Sequence, residues 1–364
     1  MLLYKLPSGD PVHRYEKCIV VLFGGKRRVL STCPLNGGYR ENLTAVFNND
    51  GNPGAGMACK LRAPTYEEHM ALVAAEIGLE PETAAGMSTA ASMENVSIQS
   101  ECYRDVTVTA IVTGGIEVNG GRVGDPASWH EENGKSVPVT LGTINVILDI
   151  STDLTPGALT RAAVTCTEAK TAALQELLAP SRYSMGIATG SGTDDTIIVC
   201  NAESDVRLSR AGKHCKLGEL IGRVVKRAVK EALYQQTGLC PAYQHHILHR
   251  MDRFGITERS LWERFGGREM GLSRADFSDR LHTLGSGDAL VTHTALYAHL
   301  LDEVMWGLLS PAEAMGAGSS LLGLMEHRHG KAPENIPESR EAALEQMIAL
   351  YAKSILTLMG SETI

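Results

Sequence analysis

Val139–Ile150 reads VTLGTINVILDI, and Ser151–Leu178 follows as STDLTPGALTRAAVTCTEAKTAALQELL. The first stretch is an apolar, β-branched run of the length of a buried central strand. The second opens on Thr155-Pro156, a side-chain oxygen at the N-cap and a proline at the first helical position. That pairing predicts a long helix from about Pro156 to Leu178. The theme recurs downstream, where Thr196–Cys200 reads as a strand and Leu217–Gln236 as a second long helix stopped by Gly238. Upstream, Cys18–Phe23, Arg28–Ser31 and Leu43–Phe47 are short β-rich runs between Gly and Asn turns. Tyr66–Ile77 reads as a helix with Gly78 as its stop. Asn95–Ile98 and Val106–Thr113 read as strands, Asn119–Asn133 as a turn-rich loop, and Met185–Thr189 as a strand entering a glycine-rich loop. The expected class is α+β, with mostly antiparallel sheets and long helices on their faces. A layered αββα sandwich is one arrangement that meets this pattern.

The texture changes near residue 240. All eight cysteines lie at or before Cys240, and eight of the twelve histidines lie after it. The tail reads as five or six helices. Ser310-Pro311-Ala312-Glu313 carries a capping box, Thr257 and Ser273 are further N-caps, and Glu338–Met359 is amphipathic. Two domains follow, 1–238 and 239–364, the second an all-α bundle.

At 364 residues the chain is long enough for two or three domains of ~150 residues. A net charge of −8 argues against general binding to nucleic acid or acidic membranes, which favour clustered Lys and Arg. No apolar run approaches the ~20 residues of a membrane span, and Met1–Glu16 lacks a signal-peptide core. No cysteines stand as Cys-x-x-Cys and several sit in apolar runs, so a reduced, cytoplasmic protein is expected.

The stretch richest in chemistry is Met185–Thr196, MGIATGSGTDDT. Gly190 and Gly192 let backbone N–H groups approach a ligand. Ser191 and Thr193 can donate hydrogen bonds or act as nucleophiles, and Asp194 can orient a base. A polar turn uses the same residue types. At Lys213–Arg223, His214 is a candidate acid or base and Lys216 a charge stabiliser, at the positive end of a helix. Lys216, Glu219 and Arg223 also suit ordinary helix-surface pairing. In the first long helix, Glu168 and Lys170 stand ~200° apart, so one pocket takes only one of them. Glu168 is the expected one, sharing its face with Thr165 and Thr171. Asn36 precedes two glycines, as in a turn. Asn145, inside an apolar strand, needs partners or points into a cleft. His245 and His249 have i, i+4 spacing, with Asp252 continuing the face, and are metal candidates on spacing alone.

Six stretches together resemble the adenosylcobinamide amidohydrolases. They are RVLSTCPLNGGY (Arg28–Tyr39), VNGGRVGDPA (Val118–Ala127), LGTINVILDI (Leu141–Ile150), CTEAKTAALQEL (Cys166–Leu177), ATGSGTDD (Ala188–Asp195) and HCKLGELIGR (His214–Arg223). Two small departures are Cys215 where Thr is expected and Ser191 where Thr is common. The resemblance covers about residues 15 to 238. It implies hydrolysis of the amide between a corrin propionate and aminopropanol, giving adenosylcobyric acid and 1-amino-2-propanol. The corrinoid is then substrate, and no cofactor is required. Side-chain type suggests the roles. The loop supplies N–H donors; His214 or Glu168 activates water, or activates Ser191 or Thr193; Lys170, Lys216 and Asn36 bind ring-edge amides. Two other readings stay open, a phosphate- or nucleotide-handling enzyme built on the Gly190–Asp194 loop, and a non-catalytic corrinoid-binding protein. The resemblance does not cover the tail; some relatives carry a fused α-ribazole phosphatase, but no phosphatase motif stands after Gly238, and the tail is read as a metal-binding helical cap or a homo-oligomerisation module.

Overall fold

The computed structural model describes residues 1–54, 61–127, 143–330 and 335–360. The start of the quoted strand, 139–142, and the end of the expected 119–133 loop lie outside them. The chain divides into two units, Met1–Cys240 and Pro241–Ile364.

In the first unit the strands are β1 (Leu2–Lys5), β2 (Pro11–Tyr15), β3 (Cys18–Leu22), β4 (Arg27–Ser31), β5 (Gly38–Arg40), β6 (Ala45–Asp50), β7 (Ala84–Thr89), β8 (Ser97–Tyr103) and β9 (Val106–Gly114). They continue with β10 (Gly120–Gly121), β11 (Ile144–Ile150), β12 (Asp153–Leu154), β13 (Gly190–Ser191), β14 (Thr196–Asn201) and β15 (Arg207–Leu208). The long helices are α1 (Tyr66–Glu76), α2 (Pro156–Glu176) and α3 (Lys216–Thr237). One sheet has the order β1-β2-β3-β6-β7, the other β5-β4-β14-β11-β9-β8. Most neighbours are antiparallel, but β6–β7 and β11–β14 are parallel, so both sheets are mixed. The cause lies in the connections: α1 intervenes between β6 and β7, and α2 between β11 and β14. A helical crossover returns the chain in the same direction.

Alternation along the strands builds the layers. Val146, Leu148 and Ile150 of β11 join Val108, Ala110 and Val112 of β9 in a core with α2 and α3. Ile147, Ile111, Ile197 and Val199 face the opposite way and pack on Ile19, Val21, Val46 and Met87 of the other sheet. The outer face of that sheet carries Val20 and Phe47 against Met70, Val73 and Ala74 of α1. The unit is therefore an αββα sandwich. Thr155 caps α2 by accepting from the Ala158 N–H at 3.3 Å, and Gly238 ends α3 in the left-handed region.

The second unit is helical. It holds α4 (Ile247–Met251), α5 (Glu258–Glu263), α6 (Arg274–Gly285), α7 (Asp288–Trp306), α8 (Pro311–Met325) and α9 (Arg340–Gly360). The capping boxes at Thr257 and Ser310 are formed. Tyr297 and Tyr351 fill the core, the first donating to the Met347 carbonyl and the second paired with the Thr294 hydroxyl, each at 2.8 Å. Arg253 and Asp302 form a buried two-point ion pair. Among the described residues no helix is long and apolar enough to cross a membrane, and the seven described cysteines are free thiols.

Candidate active site

The adjacent starts of the parallel strands β11 and β14 position the glycine loop. The Asp194 carboxylate turns back into that loop. It accepts from the Ile144 N–H at 2.8 Å, the Ser191 hydroxyl at 2.6 Å, the Ser191 N–H at 2.9 Å and the Lys170 ammonium at 2.5 Å. Four donors occupy the acceptor sites of a carboxylate. The loop thus carries its own anion. The Ser191 N–H is spent on Asp194, and the Thr193 N–H donates to Ser191 Oγ at 3.3 Å. The expectation of free N–H donors for a ligand is corrected at these two positions. Gly190 is required by this packing, since a Cβ there would meet Asp194 Oδ2 at 2.4 Å.

The face of α2 is also corrected. Lys170 is buried and reaches the loop, whereas Glu168 is exposed and pairs with Lys213 at 3.4 Å and Arg161 at 3.7 Å. Helical spacing separates the two residues correctly but does not say which one faces inward. Thr171 Oγ1 donates to the Thr189 carbonyl at 3.1 Å and Gln175 to the Ala188 carbonyl at 3.0 Å. Tied to α2 in this way, Met185–Thr189 does not form the expected strand. Only Gly190–Ser191 pairs in a ladder, with Gly120–Gly121.

That pairing brings Gly121–Ala127 against the loop and encloses an open cleft of about 580 Å³. Lys170, Gly190, Ser191, Gly192 and Asp194 line it, with Arg122, Asp125 and Tyr183 on the other wall. Asp125 Oδ2 accepts from the Arg122 N–H at 2.8 Å and the Ser181 hydroxyl at 2.6 Å. Burial works against its charge, but the bonds from Ser181, Ser184 and Arg122 outweigh burial and hold the carboxyl below its ordinary value. Thr193 belongs to the same loop, its carbonyl accepting from Thr143 Oγ1 at 2.5 Å.

Asp195, the residue immediately before β14, bonds a different set of groups from Asp194. Its Oδ1 accepts from the Thr32 hydroxyl at 2.7 Å, and Thr32 Oγ1 accepts from the Thr196 N–H at 3.0 Å. Burial, reinforced by the Asp194 charge, pushes the Asp195 carboxyl up to about 6. The Asp195 N–H donates to Asn145 Oδ1 at 3.2 Å. Asn145 is fully buried between the sheets and donates to Asn48 Oδ1 at 2.8 Å and the Ser88 carbonyl at 2.9 Å. It supports the strand start and does not line the cleft.

The remaining candidates lie elsewhere. His214 is exposed before α3 and outside the cleft lining. Lys216 pairs with Glu219 at 2.6 Å and lies over the Tyr103 ring. Asn36 donates to the Pro81 and Ala84 carbonyls at 2.6 and 2.8 Å, anchoring its turn. His245 and His249 do not share a helix face. Helix α4 starts only at Ile247, with His246 as its N-cap. His245 contacts Asp288, and His249 stacks on Tyr243. Among the described residues no group of three or more His, Cys, Asp or Glu side chains is placed to hold a metal ion. Thr32, Arg122, Asp125 and Asp195 were given no role from sequence. Arg122 and Asp125 stand in VNGGRVGDPA, where two glycines beside opposite charges were the available signal.

Together these features define a layered αββα unit with an open cleft beside the starts of its parallel strands. Residues 3–241 match the family model described as adenosylcobinamide amidohydrolase, and the chain belongs to that family. It is also 35% identical over 247 residues to an uncharacterized protein of Methanocaldococcus jannaschii, covering 64% of this chain and 93% of that one. Both the loop and the cleft fall inside the matched region.

Proposed function

We propose that the protein hydrolyses the amide joining a corrin propionate to aminopropanol in adenosylcobinamide, releasing adenosylcobyric acid and 1-amino-2-propanol. The corrinoid is the substrate and no further cofactor takes part. The observation that carries this reading is the convergence, inside the family-matched region, of Gly121–Ala127, Lys170 and Thr189–Asp194 on one cleft. Corrinoid arms present carbonyl oxygens. Lys170 has ammonium protons beyond the one given to Asp194, and Arg122 adds a guanidinium on the other wall. Tyr183 and Val123 supply apolar surface, being 39% and 83% exposed. The nucleotide reading loses its main support, because the loop already holds the Asp194 carboxylate where a phosphate would need free N–H groups.

Incubating the full-length chain with adenosylcobinamide, followed by chromatography and mass measurement of corrinoid and amine, tests the reading. Formation of both products is the expected result. Intact substrate on a folded protein would overturn it.

A further inference from the structure

Among the described residues, the hydroxyl side chains that line the cleft are those of Tyr183, Thr189 and Ser191. Thr189 Oγ1 accepts from the Val123 N–H at 2.8 Å. The Tyr183 ring lies on Gly121, where a Cβ would meet Tyr183 Cδ2 at 3.4 Å. Of the two aliphatic hydroxyls, Ser191 is the one that donates to a carboxylate, Asp194 Oδ1, at 2.6 Å. The Ser191 N–H also donates to Asp194 Oδ2, at 2.9 Å, so serine and carboxylate are joined at two points. The Lys170 ammonium holds that same Oδ2. Ser191 Oγ accepts one bond, from the Thr193 N–H at 3.3 Å, and a hydroxyl oxygen has a second lone pair. A hydroxyl whose proton already lies on a base, with a lone pair left over, is the arrangement of an activated nucleophile. The other bases do not compete for this proton. His214 and Glu168 stand outside the cleft lining, and Asp125 is bonded to Ser181 and the Arg122 N–H.

We propose that Ser191 is the nucleophile of this hydrolysis and Asp194 its proton acceptor, an inference that rests on the amidohydrolase reading above. Ser191 Oγ bonds to the amide carbon, its proton passes along the existing bond to Asp194 Oδ1, and the carbonyl electron pair moves onto oxygen. The four donors on Asp194 are no obstacle, because this transfer uses a bond already made. Lys170 carries further ammonium protons for the developing oxyanion. As the tetrahedral adduct collapses, the C–N bond breaks and the Asp194 proton passes to nitrogen, freeing the amine and leaving an ester on Ser191. Water then bonds to the ester carbon as Asp194 takes a proton from it. The C–Oγ bond breaks and that proton returns to Oγ. The products are a carboxylic acid and an amine, with the Ser191 hydroxyl and the Asp194 carboxylate regenerated.

The same bonds also brace the turn, so the test reads the covalent intermediate directly. The full-length chain is mixed with adenosylcobinamide, or with the analogue whose leaving amine is ethanolamine, in water containing hydroxylamine. Corrinoid hydroxamate is measured against corrinoid acid by mass. A shared Ser191 ester fixes that ratio, so it is the same for both leaving amines. Ser191→Ala lowers kcat by at least ~10³-fold, and Ser191→Thr, which keeps a hydroxyl, turns over at least about tenfold faster than Ser191→Ala. Asp194→Asn lowers kcat by roughly 10²–10⁴-fold, the range of general acid–base catalysis. Any of three results overturns the proposal and leaves the amidohydrolase reading standing: no hydroxamate from either substrate, a ratio that changes with the leaving amine, or a Ser191→Ala protein that keeps more than a tenth of wild-type kcat. A wild-type protein that turns over no adenosylcobinamide sinks both.

Discussion

Lys170 Nζ stands 2.5 Å from Asp194 Oδ2, joining the middle of α2 to the loop before β14, with the two side chains 10% and 8% exposed. Removing one member of a buried pair leaves the other charge without its counterion, at a cost of about 3–5 kcal/mol. Lys170→Met is therefore expected to lower stability by that order in urea unfolding. It is also expected to cut turnover of adenosylcobinamide by at least ~100-fold, since it removes a cation from the cleft wall. Lys170→Met/Asp194→Asn should recover part of the stability and none of the activity. Wild-type stability in the single variant would show that the pair does not form.

Glu168→Ala and His214→Ala are expected to keep turnover within about twofold of wild type. Both side chains are exposed and stand outside the cleft lining. Loss of the Glu168 surface pairs costs under about 1 kcal/mol. A tenfold loss of kcat in either variant would place the chemistry on the outer face of α2 and the turn before α3.

The two variants mark the limit of what spacing alone conveys. Helix positions were legible because caps and stops are local: Thr155-Pro156, Gly78, Gly238 and the Ser310 box each sit at or within two residues of a helix end. The identity of the loop was legible from its glycines. Which face of α2 turns inward was not, because periodicity fixes angles between residues and leaves the direction of the core open. Thr32 and Asp195 are 163 residues apart, and only strand order makes them partners. Strands β1, β2 and β7 also escaped, β7 because AAGMST has little of the β-branched character that marks strands.

Stability should respond to pH through Asp149 on β11. This residue is 1% exposed, and its Oδ2 has no hydrogen-bond partner. Burial, then the Asp10 charge, pushes the carboxyl up to about 7, against the pull of Arg27. A carboxyl raised in the folded state binds its proton more tightly there than in the unfolded chain. Folding is thus favoured at low pH, and that advantage is lost as pH climbs from about 4 to about 7. Asp149→Asn keeps the shape and removes the titration. It is expected to stabilise the protein by on the order of 2–4 kcal/mol at pH 8 and by much less at pH 5, read from urea midpoints. An equal effect at both pH values would mean that Asp149 ionises freely.

The inner edge of the first sheet gives the sharpest packing test. Gly86 of β7 is paired in register with Phe47 of β6, and a Cβ at Gly86 would lie 2.2 Å from Phe47 Cζ. The ring crosses the glycine and packs with Met70 and Val73 of α1. No rotamer change of an alanine methyl relieves that overlap, so the ring or the strand must shift. Gly86→Ala should cost at least about 1–3 kcal/mol, the usual penalty for overpacking. In Gly86→Ala/Phe47→Leu the smaller side chain opens room for the methyl. The double variant should then be less destabilised than the sum of its single variants, by more than ~0.5 kcal/mol. Strict additivity would place Phe47 away from Gly86 and overturn the parallel register of β6 on β7.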